Sequence, residues 1–271
     1  MIPKKAKDYI THTFKNGRVV CLTGSGVSYE SGIPVFRGKG AFWETYDPQV
    51  YAHIDGLTAL FKENPAHYID FVCDFYSLLL KARPNHAHLA LAVLEKTGLL
   101  QSIITQNIDD LHQEAGSRSV IELHGNAYRI RCPHCQNSFT LEKPRIMEMV
   151  QLFKDNQGDR PQLLKIFSRY FPRCKKCNDR YRIDIVFFGE TLPQEGLLEA
   201  YRQLDTAETL LVVGTSLVVY PVASLPLYAK QKGAKIIEIN SEPSSLSELS
   251  DYKIIGQAGV VLPEILNLLE A

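Results

Sequence analysis

Four cysteines have the spacing of metal ligands. Cys132 and Cys135 form one C-x-x-C pair, and Cys174 and Cys177 form a second. Two such pairs supply four thiolates, the ligand set of a closed tetrahedral zinc site; free thiols or a redox pair are the alternatives. Because sulfur would fill every position, such a zinc is structural and leaves no position open for substrate. His134 lies inside the first pair, and we expect it at the surface because four cysteines suffice.

A glycine-rich loop follows a short apolar run. Residues 19–22 read VVCL and predict a buried strand, after which residues 23–38 read TGSGVSYESGIPVFRG. A strand that breaks into glycine and serine before a helix leaves backbone N–H groups that suit a phosphate or pyrophosphate. Tyr29 replaces the third glycine of the G-x-G-x-x-G fingerprint, so an ordinary turn is the alternative. Phe36 and Arg37 offer a ring for stacking and a guanidinium for phosphate.

Several later apolar runs predict strands, and each is followed by a polar cluster. These runs are residues 102–105 before QNIDD, 120–123 before HGN, 185–188 before GE, 210–213 before GTS and 236–239 before NSE. Helical stripes separate the runs, and this alternation predicts an α/β fold with a doubly wound, Rossmann-like parallel sheet. A last strand is predicted at 252–255, before a closing helix. Ligands of such sheets bind at the carboxyl ends of the strands, where the polar clusters lie.

Residues 131–182 interrupt the alternation and predict a smaller inserted zinc-binding lobe. The Rossmann-like body then comprises residues 1–130 and 183–271, with residues 39–84 as a flap and a helical part of the small lobe. The two cysteine pairs are 38 residues apart, more than the roughly 15–20 of a compact zinc ribbon. A helical stripe at residues 146–153 fills part of this insert. Residues 40–64 are aromatic and irregular, and form either a mobile flap or a packed surface loop.

The overall composition argues against several functional classes. The chain has 271 residues, 45% of them hydrophobic, with 30 Lys+Arg and 30 Asp+Glu. No bulk charge therefore draws it to nucleic acid or anionic lipid, and the basic residues around Cys174 and Cys177 are interpreted as a solvated surface. No stretch has the length of a membrane span or the h-region of a signal peptide. The cysteine usage suits a reducing compartment, so we expect a cytoplasmic protein.

Residues 23–38 resemble the signature of the sirtuins, the NAD-dependent protein lysine deacylases, which is close to GAGxSxxSGIPDFRG. The resemblance departs at Ser25, commonly Ala, at Val35, often Asp or Thr, and at Ile183, where the family's R-P-x-I-V block has Pro. It extends over nearly the whole chain, through the blocks TQNIDDLH (105–112), ELHGN (122–126), IVFFGE (185–190), GTSLVV (214–219) and INSE (239–242).

The resemblance implies NAD as co-substrate, together with one structural zinc ion. It assigns Gly24, Ser25, Gly26, Ser28 and Tyr29 to the pyrophosphate, Phe36 and Arg37 to the nicotinamide ribose, Gln106, Asn107, Ile108 and Asp109 to the ribose and nicotinamide pocket, Thr215 and Ser216 to the phosphate side, and Asn240, Ser241, Glu242 and Ala258 to the adenosine end. The residue types suit these roles, because Asn107 and Asp109 can complement a carboxamide and Glu242 can accept a hydrogen bond from a ribose hydroxyl.

The resemblance also implies a reaction in which an acyl-lysine carbonyl oxygen displaces nicotinamide from its ribose. His124 is the candidate general base for a ribose hydroxyl, since an imidazole titrates near neutrality. The products are free lysine, nicotinamide and O-acyl-ADP-ribose. An acylated peptide is expected to add as a strand between residues 188–190 and 218–219. Gly189 belongs to the first of these segments, and Val186, Phe188 and Val218 are candidates for the apolar tunnel around the lysine stem, with plain core packing nearly as good an interpretation for Val186.

The acyl group is expected to be neutral. Family members that prefer acidic acyl groups carry a Tyr-x-x-Arg pair. Here the residue three positions after Tyr68 is Phe71, and the residue three positions after Tyr76 is Leu79, so no arginine is present to pair with a carboxylate. Protein mono-ADP-ribosyl transfer uses the same cleavage of NAD and is the first alternative function. A non-catalytic zinc module that binds protein or nucleic acid is less favoured, and a hydride-transferring dehydrogenase less still.

Overall fold

The computed structural model describes Ile2 and residues 4–35, 41–245 and 247–270. Within these residues the strands are β1 (Val19–Thr23), β2 (Ser102–Thr105), β3 (Val120–Glu122), β4 (Gly125–Arg131), β5 (Ser138–Thr140), β6 (Arg182–Ile185), β7 (Thr209–Val213), β8 (Lys235–Asn240) and β9 (Tyr252–Ile255). The α-helices are α1 (Lys4–Asn16), α2 (Phe42–Thr45), α3 (Pro48–Tyr51), α4 (Ile54–Glu63), α5 (Pro65–Lys81), α6 (His86–Lys96), α7 (Leu111–Glu114), α8 (Lys143–Asp155), α9 (Arg160–Tyr170), α10 (Gln194–Asp205), α11 (Leu225–Gln231) and α12 (Ala258–Glu270).

A parallel sheet in the order β3-β2-β1-β7-β8-β9 forms the body of the molecule. Every residue of β1 and β7 is buried, as expected for central strands covered by helices on both faces. This order is that of a doubly wound sheet, so the predicted α/β fold is confirmed. The strand order reverses between β1 and β7, and ligands of such sheets bind in the crevice outside the carboxyl ends of the strands at that point.

The helices cover both faces of the sheet with apolar side chains. On one face α1, α6 and α12 contribute Ile10, Leu91 and Ile265 to a continuous core. On the other face α10 and α11 contribute Leu204 and Ala229. The predicted last strand and closing helix are confirmed in β9 and α12.

The apolar run 185–188 is not a strand of the parallel sheet, so that prediction was wrong. Its only strand residue is Ile185, the last of β6, which pairs antiparallel with β4 in a separate sheet of order β5-β4-β6. The following N–H groups pair with loops instead: Val186 donates to the His124 carbonyl (3.0 Å) and Phe188 to the Ala52 carbonyl (2.9 Å). Residues 186 and 188 are therefore hydrogen-bonded to the segments at His124 and Ala52, not to a neighbouring strand of the parallel sheet.

The small lobe packs around its own core. The predicted helical stripe is confirmed in α8, whose Ile146 and Phe153 are fully buried. A second helix, α9, was not predicted, although Leu163, Ile166 and Tyr170 mark its buried face. From the opposite side α5 packs into the same core, so the lobe includes residues far upstream of the first cysteine pair.

Residues 41–64 are more regular than the sequence indicated. The expected irregular region contains α2, α3 and α4, with Pro48 at the start of α3 and the Asp47 side chain accepting the Gln49 N–H at 2.9 Å. Phe42 and Leu57 are buried against Phe71 of α5. The described part of this region is therefore a packed layer. No helix within the described ranges is both long and apolar enough to cross a bilayer.

Candidate nucleotide-binding and catalytic site

Two glycine loops meet outside the carboxyl ends of β1 and β7. The Gly26 N–H donates to the Gly214 carbonyl at 2.8 Å, and a Cβ on Gly26 would lie 2.8 Å from the Gly214 Cα. A Cβ on Gly24 would meet the Thr215 Cβ at 2.7 Å. These glycines therefore allow the two loops to touch at the point where the sheet order reverses. The chain continues from Ser25 as a short 3-10 helix that ends at Gly32, whose φ is 84°.

A buried polar cluster lies beside this helix. The Ser28 hydroxyl donates to Asp109 Oδ2 at 2.7 Å and accepts from Asn107 Nδ2 at 3.0 Å. The other oxygen of Asp109 accepts the Leu111 N–H at 3.0 Å. Burial raises the pKa of Asp109, while the hydrogen bonds from Ser28 and Leu111 act in the opposite direction. The fold thus joins three predicted site residues that are far apart in sequence.

A second layer behind this cluster was not predicted. His88 Nε2 lies 3.4 Å from the Ser28 oxygen, and His112 Nε2 lies 3.0 Å from Thr23 Oγ1, which donates to Thr105 Oγ1 at 2.8 Å. Burial lowers the pKa of His88 to about 4 and that of His112 well below its ordinary value, so both rings are neutral. A sequence signal existed, because Thr23 and Thr105 are polar residues that end buried strands.

His124 lies two residues after the end of β3, where its ring reaches the loop that follows β2. Its Nδ1 is 3.0 Å from the Gln106 carbonyl oxygen. A carbonyl only accepts hydrogen bonds, so Nδ1 carries the proton and Nε2 keeps its lone pair in the neutral ring. Burial lowers the pKa of His124 below its ordinary 6.5, although the bond to Gln106 opposes this shift. The ring is therefore a neutral base at physiological pH.

The Asn107–Asp109 cluster lies at one end of a cavity with mostly apolar walls. The lining residues are Ser25, Ile33, Pro34, Phe42, Phe75, Leu78, Leu79, Asn107, Ile108 and Asp109. Ile33, Pro34 and the side chains of α2 and α5 were not predicted to line a site. A flat polar ring with a carboxamide group matches this combination, since the amide and carboxyl can pair with the carboxamide while apolar groups enclose the ring.

The residues predicted for the phosphate side and the adenosine end lie after β7 and β8. Thr215 is buried and its Oγ1 accepts from Gln106 Nε2 at 2.8 Å, whereas Ser216 is exposed. Asn240 Nδ2 donates to the Thr215 carbonyl at 3.0 Å. Ser241 and Glu242 are exposed at the end of β8. Ala258 is buried at the start of α12, and Tyr29 on the first loop is 56% exposed.

The predicted peptide-contacting residues, which we call the rim, are exposed or half-buried. Phe188 and Val218 are 36% and 39% exposed, large fractions for apolar side chains, and Gly189 has a φ of 86°. Val186 is half-buried beside His124 through its backbone hydrogen bond. Phe36 and Arg37, predicted to lie near the nicotinamide ribose, are outside the described residues.

The four cysteines of the small lobe converge, with their Sγ atoms all within 4.8 Å of one another. The Sγ atoms of Cys132 and Cys177 are 3.3 Å apart and those of Cys135 and Cys174 are 3.5 Å apart, and none of the four cysteines forms a disulfide. Four thiolates at tetrahedral distances fit a structural zinc ion, which bonds sulfur at about 2.3 Å. His134 is exposed, as expected.

Comparison with known proteins gives consistent matches over most of the chain. Residues 24–221 match the profile of the Sir2 family. An NAD-dependent protein deacylase from Thermococcus kodakarensis is 44% identical over 253 residues, which are 92% of this chain and 89% of that protein. A Sir2 homologue mutant solved with ADP-ribose is 38% identical with a TM-score of 0.79, covering 97% and 96% of the two chains. A Sir2–p53 peptide–NAD+ structure is 34% identical with a TM-score of 0.76, covering 98% of each.

Proposed function

The chain belongs to the Sir2 family, and from that membership and the geometry of the crevice we propose that it is an NAD-dependent protein lysine deacylase. The observation that carries the proposal is the meeting of His124, the Ser28–Asn107–Asp109 cluster and the two glycine loops at one end of the sheet. NAD supplies a ribose whose bond to nicotinamide is labile. The protein's own residues bind, orient and deprotonate.

We assign the role of general base to His124. The Gln106 carbonyl holds the tautomer with the proton on Nδ1, so Nε2 can accept a proton from a ribose hydroxyl. Since burial lowers the pKa of the ring, no deprotonation of His124 is needed before it acts at pH 7. Because the ring is already neutral and held by a backbone carbonyl, it could accept the proton without first changing its orientation or protonation state.

Asn107 and Asp109 are assigned to the nicotinamide carboxamide, with Ile108 and the apolar cavity around the ring. The Ser28 hydroxyl bonds to both side chains and would hold Asn107 and Asp109 in a fixed orientation toward the carboxamide. This enclosure would exclude water from the reactive ribose carbon, as the reaction requires if the acyl oxygen rather than water is to attack.

The glycine loops and the ends of β7 and β8 are assigned to the rest of the dinucleotide. Gly24, Ser25, Gly26 and Tyr29 would bind the pyrophosphate with Thr215 and Ser216, while Asn240, Ser241, Glu242 and Ala258 would bind the adenosine half. Phe36 and Arg37 complete the assignment at the nicotinamide ribose. The position of both loops at the point where the strand order reverses supports this assignment.

The protein substrate is proposed to be an acylated lysine in a peptide that crosses the exposed rim. The related Sir2 structure that contains a p53 peptide and NAD+ supports a peptide substrate for this chain. Phe188, Gly189 and Val218 would contact it, with Val186 beside the lysine stem. The Phe188 N–H already donates to Ala52, so an added strand would pair through other backbone groups of the rim.

We propose that the acyl group removed from lysine is neutral, with acetyl as the preferred group. Tyr76 donates its hydroxyl to the Ala127 carbonyl at 3.2 Å inside the small-lobe core, so it is not available to an acyl carboxylate. The zinc held by the four cysteines of residues 131–182 is assigned a structural role.

Mass spectrometry of acyl-lysine peptides tests the proposal. We expect NAD-dependent release of nicotinamide and O-acyl-ADP-ribose, fastest with an acetylated peptide and slower with a succinylated one. Labelled NAD that marks a protein covalently, without deacylated peptide, would instead establish mono-ADP-ribosyl transfer. Absence of any NAD turnover, together with salt-sensitive nucleic-acid binding, would favour the non-catalytic module.

A further inference from the structure

A carboxylate is buried beneath the proposed adenosine end. Glu238 lies on β8, two residues before Asn240, and is 2% exposed. Its Oε1 accepts from Asn240 Nδ2 and from the Ser244 N–H, each at 2.9 Å, and its Oε2 accepts from the Ser250 hydroxyl at 2.9 Å. A buried charge is costly unless donors satisfy it. Here neutral donors surround the group, and no cationic side chain is among these partners.

The surroundings favour the ionised form of this carboxyl. Burial raises the pKa of Glu238, but hydrogen bonds from Ser247, Asn240 and Ser244 together hold it below its usual value. The Ser244 N–H can only donate, so Oε1 has to remain an acceptor, whereas the Ser250 hydroxyl beside Oε2 can donate or accept. The ionised form offers two accepting oxygens, and its charge strengthens the hydrogen bonds that it receives.

The carboxylate joins two loops that carry proposed nucleotide ligands. Asn240, held by Glu238, donates in turn to the Thr215 carbonyl at 3.0 Å. Next to Ser244, the Ser245 N–H donates to the Ser216 carbonyl at 3.1 Å and its hydroxyl to the Leu217 carbonyl at 2.6 Å. Glu238 thus holds Asn240 and Ser244, and the residues that contact 215–217 are Asn240 itself and Ser245, the neighbour of Ser244.

We propose that Glu238 is a positioning residue for the adenosine half of the nucleotide, acting through Asn240, Ser244 and Ser250 without contacting the ligand. This inference rests on the proposed function, since it takes the ends of β7 and β8 as the nucleotide site. The ionised carboxylate draws the Asn240 amide and the Ser244 N–H together and so fixes the loop before the nucleotide binds. Preorganisation of this kind lowers the entropy that binding must overcome.

Calorimetric titration with ADP-ribose, alongside steady-state kinetics, tests this role. Glu238→Gln has nearly the same shape but loses the negative charge and one acceptor oxygen, which weakens the charge-assisted hydrogen bonds, so we expect the Kd for ADP-ribose to rise about tenfold. The kcat at saturating NAD and the KM for the acetylated peptide should stay unchanged. Hydrogen exchange at the Ser244 and Ser245 amides should accelerate. Glu248→Gln, on the same loop with its side chain 99% exposed, is the matched control and should bind like wild type.

The outcomes separate this inference from the proposed function. Failure of the wild-type protein to bind ADP-ribose would refute the nucleotide site itself. Wild-type binding with an equal Kd for folded Glu238→Gln would overturn the positioning role alone, as would an equal loss in kcat and peptide affinity. If Glu238→Gln does not fold, Ser250→Ala removes one donor and keeps the charge; we expect a rise in Kd of about threefold. An unchanged Kd for that variant would also overturn the role.

Discussion

The zinc lobe and the crevice of the parallel sheet are assembled from ligands at very different distances along the chain. In the lobe, each C-x-x-C pair is local, and one metal ion would join the two pairs. In the crevice, Ser28 bonds to Asp109 across 81 positions and Gln106 to Thr215 across 109. A structural zinc supplies about 10–16 kcal/mol of binding energy at one centre, whereas single hydrogen bonds contribute about 0.5–1.5 kcal/mol each. Loss of the zinc ion should therefore unfold the lobe in one step, whereas loss of a single hydrogen bond should weaken the crevice only slightly.

Removal of the metal should have the largest effect. Chelation of zinc, or Cys174→Ser, should unfold the small lobe and abolish nicotinamide release, because α5 packs into the lobe core while its Phe75 and Leu79 line the cavity. Zinc stoichiometry, circular dichroism and activity should fall together. His134→Ala should keep its zinc. A folded, fully active protein without zinc would contradict the dependence of the crevice on the lobe.

Loss of the proposed base should slow chemistry without weakening nucleotide binding. His124→Ala should lower the deacylation rate by about 10²–10⁴-fold, the usual contribution of a general base, with unchanged affinity for ADP-ribose. Single-turnover kinetics and calorimetry measure the two quantities separately. His67→Ala, at an exposed position, serves as the control. Near-normal activity of His124→Ala would count decisively against the assignment.

Crowding the contact between the two glycine loops should damage binding more moderately. In Gly26→Ala the new methyl would lie 2.8 Å from the Gly214 Cα, and backbone can move only at a cost of about 1–3 kcal/mol. We expect the Kd for ADP-ribose to rise roughly tenfold to a hundredfold. Gly158→Ala, where the added Cβ meets nothing within 4 Å, should bind normally. Equal affinities of the two variants would argue against loop contact as the basis of the site.

Acidification should give the smallest effect near neutrality. His124 acts as a base only when neutral, and burial places its pKa below 6.5, so kcat/KM should be flat at pH 7 and decline as pH falls through the lowered pKa. Below that point the decline should approach tenfold per pH unit. A pH–rate profile with a deuterated-solvent control measures it. An inflection above pH 6.5 would mean that the ring is stabilised as a cation, contrary to its burial.

Much of the fold and of the candidate sites was predictable from local sequence patterns, and the exceptions have physical causes. Cys132 and Cys135, like the loop after β1, are recognisable because their spacing is set within a few residues. The run 185–188 misled, because apolar periodicity does not reveal whether N–H groups pair with a ladder or with loops such as the one at His124. His88 was missed because its partner, Ser28, is distant along the chain. Glu238 was missed because its partners come from the loop that folds back toward β8.

The sequence by itself determined the zinc ligands, the alternation that forms a doubly wound sheet, and the polar clusters that end its strands. These depend on short-range spacing and on periodicity, which the chain carries in one dimension. Only the tertiary structure decided which tautomer of His124 is present, which carboxyls are buried, and how Gly26 meets Gly214. Protonation and close approach depend on the groups that surround an atom in space, and those come together only when distant strands pack side by side.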